Sequence, residues 1–106
     1  MGKNQAIKTS SLSNPTKRYV VSYAPAAEFS SVDSANDGMY EKAFWLYRHA
    51  LKFARRKAVT DFFGCTVIKG QELGRDAEGD YRWQNTGHRW EINPGEEPFH
   101  QYLIDG

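Results

Sequence analysis

The sequence has a single cysteine and no long apolar run, and these two absences restrict where the protein can work. Cys65 is the only cysteine among 106 residues, so no disulfide can form within the chain, as is usual in reducing compartments. No segment approaches the roughly 20 consecutive apolar residues that a membrane-spanning helix requires. The first sixteen residues lack the apolar core of a secretory signal peptide. We therefore expect a cytoplasmic protein that has no contact with a membrane.

Motifs for catalysis and for metal binding are also lacking. The three histidines and Cys65 show none of the HxxxH or CxxC spacings that metal sites require. The glycines of residues 74–80 are not followed by the Gly-Lys-Ser/Thr ending of a phosphate-binding loop. Two arrangements remain open, a Cys65–His88 dyad and a metal site built from His88, His100 and Glu97. Because neither has a motif's spacing, we expect a protein that is not an enzyme and holds no cofactor or metal.

The composition is that of one small globular domain. Apolar residues make up 40% of the chain and charged residues 25%, and 15 aromatic residues are available to fill a core; these values are typical of globular proteins. Residues 1–16 are rich in Ser, Asn and Lys and end near Asn14-Pro15. We predict a flexible tail over residues 1–16 and a single α+β domain over residues 17–106.

The first half of the domain predicts a strand, a connection and one long helix. In Lys17–Tyr23 the side chains of Tyr19, Val21 and Tyr23 alternate, as expected of a strand. Residues 24–38 contain Pro25 and several turn-forming residues, which predicts a long connection. From Asp37 or Gly38 to Asp61 the apolar residues recur with helical spacing. They are Tyr40, Ala43, Phe44, Tyr47, Ala50, Leu51, Ala54 and Ala58.

The second half changes to alternating patterns that predict an antiparallel meander. We predict strands at Cys65–Leu73, Tyr81–Gln84, His88–Ile92 and Phe99–Ile104. Asn85-Thr86-Gly87 is a hairpin signal between the second and third of these. The fold class is therefore α+β, with one long helix packed on an antiparallel sheet of about four strands, in the order strand, helix, meander.

The polar side of the predicted helix is the best candidate for a binding site. It combines a large aromatic side chain, Trp45, with basic residues and is opposite the apolar stripe. Trp and Arg are enriched among the residues that dominate protein interfaces. The predicted partner-binding residues are Trp45, Arg48, His49, Lys52, Arg55 and Arg56. Two alternatives would leave this surface without a function: residues 24–37 fold over Trp45, or a second copy of the chain covers it in a homodimer.

Charge is separated along the chain and suggests two further interpretations. Residues 1–60 have ten basic and four acidic side chains, whereas residues 61–106 have four basic and nine acidic ones. The basic helix side could contact phosphates, so nucleic acid is a possible partner. The acidic loops could instead meet a basic groove on another protein. Their carboxylates are those of Glu72, Asp76, Glu78, Asp80, Glu91, Glu96 and Glu97.

The order of elements resembles a group of phage proteins. A short strand with tyrosine and valines precedes an Ala-rich basic helix, then Phe63-Gly64-Cys65-Thr66-Val67-Ile68 and Gly87-His88-Arg89-Trp90. This pattern, over residues 17–92, resembles the small strand–helix–meander accessory proteins of bacteriophages, which include anti-CRISPR inhibitors. The resemblance implies a non-enzymatic inhibitor in the host bacterial cytoplasm that occupies a surface of a defence protein or ribonucleoprotein complex. It implies no particular site residues.

We therefore expect a protein that works by binding, with a host protein or ribonucleoprotein as its partner. The first alternative is a nucleic-acid-binding module that uses the basic helix side. The second is a structural phage component that assembles with copies of itself.

Overall fold

The computed structural model describes residues 16–103, which form an α+β fold with two helices and a five-stranded antiparallel sheet in the order β2-β1-β3-β4-β5. The elements are β1 (Lys17–Tyr23), a 3₁₀ turn (Ala26–Glu28), α1 (Val32–Gly38), β2 (Tyr40–Phe44), α2 (Tyr47–Ala58), β3 (Thr66–Arg75), β4 (Tyr81–Ile92) and β5 (Phe99–Tyr102). Neither helix in this part of the chain has the length and apolar character needed to cross a membrane.

The core lies between α2 and one face of the sheet, which we call the helix face. Its fully or nearly fully buried members are Val21, Ala50, Phe53, Ala54, Ala58, Ile68 and Ile92. The small alanine side chains let α2 approach the sheet closely, and aromatic rings fill the space at its edges. For example, the Phe53 ring contacts Tyr23 and Phe44, with centroids 5.2 Å away in each case. Alternation along β1 directs Val21 into this core and Val20 to the opposite face, which we call the far face.

The predicted helix over residues 37–61 is too long, because its first part is a strand. Tyr40–Phe44 form β2, which pairs with β1 so that Val21 faces Lys42 and Tyr19 faces Phe44. Tyr40, Lys42 and Phe44 alternate as a strand requires, so this short segment fits a period of two as well as a helical period. Pairing with β1 supplies the backbone hydrogen bonds that the outer edge of β1 would otherwise lack. The helix α2 begins only at Tyr47, after Leu46 in an extended conformation.

The predicted connection over residues 24–38 contains a helix. In α1 the backbone N–H of Ser34 donates to the Ser31 hydroxyl, and the N–H of Ser31 donates to the Ser34 hydroxyl. This reciprocal cap stabilises the start of a helix of only seven residues. The helix buries Ala35 completely and, through Met39 at its end, lies near Ser22 and Val67 on the far face. The apolar signal was too short to reveal α1 because Ala35 is its one buried residue.

The hairpin predicted at Asn85-Thr86-Gly87 is wrong. Residues 81–92 form one continuous strand, and Thr86–His88 lie opposite the single residue Gly70. The extra residues form a bulge, in which Gly87 has a φ of 97° that suits glycine. The sheet turns instead between β3 and β4, where the Asp76 carboxylate accepts hydrogen bonds from the backbone N–H groups of Glu78 and Asp80.

Both ends of the chain extend beyond the described residues. The last strand is β5, Phe99–Tyr102, whereas the sequence predicted Phe99–Ile104; Ile104 lies outside the described residues. The flexible tail predicted for residues 1–16 also lies outside them, except for Thr16. The carbonyl of Thr16 accepts a hydrogen bond from the N–H of Leu73 at 2.8 Å.

Candidate binding surfaces

The solvent side of α2 carries five basic residues, which we call the basic face of α2. They are Arg48, His49, Lys52, Arg55 and Arg56, and all are exposed. The helix contains no acidic residue. Within residues 16–103 the one salt bridge joins Arg82 to Asp76, so none of the five forms an ion pair there. The basic face is thus a concentrated positive charge that is held by a rigid element and is available to an anionic partner.

Trp45 is not part of this face, contrary to the prediction from helical spacing. It lies in the connection between β2 and α2, and its ring contacts that of Trp83 with 6.0 Å between centroids. Trp45 is 57% exposed, so residues 24–37 do not bury it. The change follows from β2: when Phe44 faces α2 in a strand, the next side chain points to the far face. The six predicted residues therefore divide into five on α2 and one elsewhere.

Trp45 belongs to a second surface, the tryptophan cluster, formed by Trp45, Trp83 and Arg18 on the far face. The guanidinium carbon of Arg18 lies 4.3 Å from the centroid of the Trp83 ring, a favourable cation–π distance. Arg18 Nε also donates to Gln71 Oε1 at 2.8 Å, and Gln71 Nε2 donates to Asn85 Oδ1 at 3.0 Å. These hydrogen bonds fix the guanidinium over the ring, so the cluster is ordered without a ligand.

A third group of aromatic side chains lies on the outer half of the helix face, and the sequence analysis did not identify it. The rings of Trp90 and His100 stack with centroids 5.0 Å apart, and the ring centroids of His88 and Tyr102 are 4.6 Å apart. We call these four residues the ring platform. The alternation of His88 with Trp90 and of His100 with Tyr102 was visible in the sequence. The four rings lie next to one another because of the register between β4 and β5, which pairs His88 with Tyr102 and Trp90 with His100.

Among the acidic residues of the β3–β4 turn, Asp76 has a structural role. The Asp76 carboxylate accepts hydrogen bonds from Arg82 and from backbone N–H groups of the turn. These hydrogen bonds hold the pKa of Asp76 below its ordinary value. Asp76, Glu78 and Asp80 each offer a carboxylate oxygen within 4.8 Å of the others. Because the turn itself accounts for the position of Asp76, this grouping supports no metal assignment.

The sequence left open a metal site of His88, His100 and Glu97 and a Cys65–His88 dyad. The structure brings together only the two histidines of the first and separates the two residues of the second. His88 Nδ1 and His100 Nε2 are 2.9 Å apart and share a hydrogen bond. No third metal-ligating side chain joins them in the described part of the chain. Cys65 lies with Ser22 and Val67 on the far face, so the sheet separates it from His88. Burial, followed by the nearby Glu91 and Asp61 carboxylates, raises the pKa of the Cys65 thiol, which disfavours the nucleophilic thiolate.

Comparison with models of known protein families, with curated proteins and with solved structures finds no match to this chain. What the surfaces bind must therefore be inferred from their chemistry.

Proposed function

We propose that this protein is not an enzyme but works by binding, and that the basic face of α2 contacts a protein or ribonucleoprotein partner that presents negative charge. The observation that supports this proposal is the presence of five exposed basic side chains on one helix, none of them in an ion pair within residues 16–103.

The spacing of these charges disfavours the helix in the isolated protein. Arg48, Lys52 and Arg56 follow one another at intervals of four residues, so their charges lie on neighbouring turns. Like charges at this spacing destabilise a helix by roughly 0.2–0.5 kcal/mol for each pair. An anionic partner would remove this repulsion and replace it with attraction. Charge of this kind also accelerates association with a complementary surface.

The more specific form of the proposal is an inhibitor of phage type that acts in the bacterial cytoplasm. It would occupy a surface of a defence complex, as the sequence resemblance to small phage accessory proteins implies. Leu46, the residue directly before α2, is 43% exposed and would give such an interface an apolar contact beside the basic face. Trp45 was predicted to belong to the same interface, but it lies with Trp83 on the far face.

A nucleic-acid-binding module is the second candidate, because the four arginine and lysine side chains of the same face could contact phosphates. The two candidates differ in their response to salt. For single strands, the logarithm of the binding constant falls with the logarithm of salt concentration with a slope of about −0.7 for each phosphate contact. Four contacts, from Arg48, Lys52, Arg55 and Arg56, would therefore give a slope of about −2.8.

The test is capture from a bacterial lysate with three forms of the protein. The triple variant R48Q/K52Q/R55Q removes three charges from the basic face of α2. The control variant K69Q/R75Q/R89Q removes three charges from the sheet, on the side away from α2. We expect the wild type and the control to retain the same partner and the α2 variant to lose it. Equal capture by all three forms would refute the assignment of the surface.

Two further measurements separate the candidates. Nuclease treatment of the lysate should leave a protein partner bound, whereas loss of all capture after treatment would favour nucleic acid. Light scattering of the purified protein gives its mass at increasing concentration. A mass that rises with concentration and a Trp45 ring that becomes buried would favour self-assembly instead.

A further inference from the structure

We propose that the ring platform binds the unpaired bases of single-stranded nucleic acid. The site lies on β4 and β5 and includes no residue of the basic face of α2, so it does not rest on the function proposed above.

The platform is a group of neighbouring aromatic rings, and among residues 16–103 only α2 covers part of it, at its inner end. The planes of His88 and His100 differ by 13°, and those of Trp90 and His100 by 28°. At its inner end the Trp90 ring contacts Tyr47 of α2, with 4.9 Å between centroids. The helix packs on β1, β2, β3 and β4 but does not reach β5. The rings on β5 are therefore open to solvent, and Tyr102 is 55% exposed.

The rings are held in place before any ligand arrives. The hydrogen bond between His88 and His100 spans β4 and β5. Beyond the end of β5 the N–H of Leu103 donates to the carbonyl of Gly87 at 2.7 Å. Because Gly87 has no side chain, the Tyr102 ring lies where a Cβ at that position would be only 3.0 Å away. A ligand that stacks on ordered rings has less conformational entropy to remove.

The surroundings of the platform favour a nucleic acid over an apolar peptide. A pocket of about 330 Å³ adjoins the rings of Tyr19, Trp90 and Tyr102, and Lys17 and Glu72 line its wall. Lys17 can contact a phosphate, and the Glu72 carboxylate can accept hydrogen bonds from exocyclic amino groups of bases. Flat rings with polar edges accept any base by stacking, which gives tolerance of sequence. Bases in a duplex do not expose their faces, so the ligand must be a single strand.

The experiment is a fluorescence titration of the full-length protein with oligodeoxycytidylate and oligocytidylate of about ten nucleotides, a length that covers a typical single-strand site; cytosine has the exocyclic amino group that Glu72 can accept from. Stacking on Trp90 should quench its emission. Two ligand controls keep the phosphates and remove the stacking: an abasic oligonucleotide of the same length and a duplex. We expect both controls to bind at least about 10-fold more weakly, in line with the contribution of one or two stacked bases.

The matched variants are Tyr102→Ala and Phe99→Ala. Both remove an exposed aromatic side chain from β5, but Phe99 pairs with Glu91 and points to the far face. Y102A should lose about 10-fold in affinity, whereas F99A should bind like the wild type. Circular dichroism verifies that both variants are folded.

The salt slope distinguishes this site from binding through α2. With Lys17 as the main phosphate contact, the slope should be about −0.7 rather than about −2.8. The proposal is overturned if neither oligonucleotide binds, if the abasic strand binds as well as the others, or if Y102A and F99A behave alike. It is also overturned if R48Q/K52Q/R55Q abolishes binding while Y102A does not. None of these results would bear on protein capture by the basic face of α2.

Discussion

Replacing Asp61 by alanine removes a carboxylate that connects the end of β1 to the chain that follows α2. Asp61 is 8% exposed. Its Oδ2 accepts a hydrogen bond from the N–H of Ala24 at 2.7 Å, and its Oδ1 accepts one from the N–H of Phe63 at 2.9 Å. The backbone bonds Ala26 N to Thr60 O and Phe62 N to Ala24 O lie beside them. The carboxylate therefore reinforces a short junction between two segments that are far apart in sequence.

The expected cost follows from these two bonds. A hydrogen bond to a charged group contributes about 1.5–3 kcal/mol, and a buried donor left without a partner adds its own desolvation cost. The Ala24 donor is buried, while water can reach Phe63 in part. We therefore expect Asp61→Ala to lower the free energy of unfolding by about 3 kcal/mol. This is a large share of the roughly 5–15 kcal/mol that stabilises a typical domain.

Urea unfolding followed by tryptophan fluorescence measures this loss. With a slope of about 1.5 kcal/mol per molar urea, the midpoint should fall by about 2 M. Asp61→Asn keeps the size and one acceptor oxygen, so its midpoint should lie between those of D61A and the wild type. Glu41→Ala removes an exposed carboxylate from β2 and should change stability by less than about 0.5 kcal/mol. A D61A midpoint equal to that of E41A would refute the role given to this carboxylate.

Three further predictions concern single residues. Gly87→Ala should destabilise the protein by about 2 kcal/mol or more in urea unfolding, because its φ is 97° and its Cβ would lie 2.6 Å from the Leu103 carbonyl. Gly79→Ala, with a φ of 86° and nothing within 4 Å of its Cβ, should cost only the backbone strain, and equal losses would contradict the packing argument. The Cys65 thiol should react with a thiol reagent at pH 8 more slowly than a free thiol does, since burial raises its pKa. The reaction should become fast when urea unfolds the protein, and a fast reaction in the folded protein would contradict this prediction. The hydrogen bond from Arg82 lowers the pKa of Asp76, so the contribution of this carboxylate to stability is present above about pH 4 and is lost as pH falls further. The variant D76N should therefore lose less stability than the wild type between pH 5 and pH 2. Parallel profiles of stability against pH for the two proteins would contradict the assignment.

The sequence predicted the parts of the fold that depend on local patterns. β1 was predicted at its observed bounds, because KRYVVSY combines β-branched and aromatic residues with clear alternation. The α+β class and the antiparallel sheet were likewise predicted. The exposed cations of α2 could be found because a charged residue opposite an apolar stripe stays in solvent whatever the exact helix length.

What the sequence did not predict depends on contacts between distant segments. Tyr40–Phe44 fits both a helix and a strand, and only the free edge of β1 decides between them. Because Tyr40–Phe44 is a strand, the Trp45 side chain lies beside Trp83 and not on the basic face of α2. Gly87 signals a positive φ, which suits a turn and a bulge equally; the pairing of β4 with β3 selects the bulge. The ring platform could not be predicted, because it depends on the register between β4 and β5.

The most direct test of the role of α2 is the affinity of the captured partner for R48Q/K52Q/R55Q, compared with its affinity for K69Q/R75Q/R89Q. If the basic face of α2 forms the interface, the first variant should bind at least about 10-fold more weakly than the wild type, a difference of about 1.4 kcal/mol. The second should remain within about twofold of the wild type. Equal affinities for both variants would contradict the account, because the partner would then be contacting some other part of the protein.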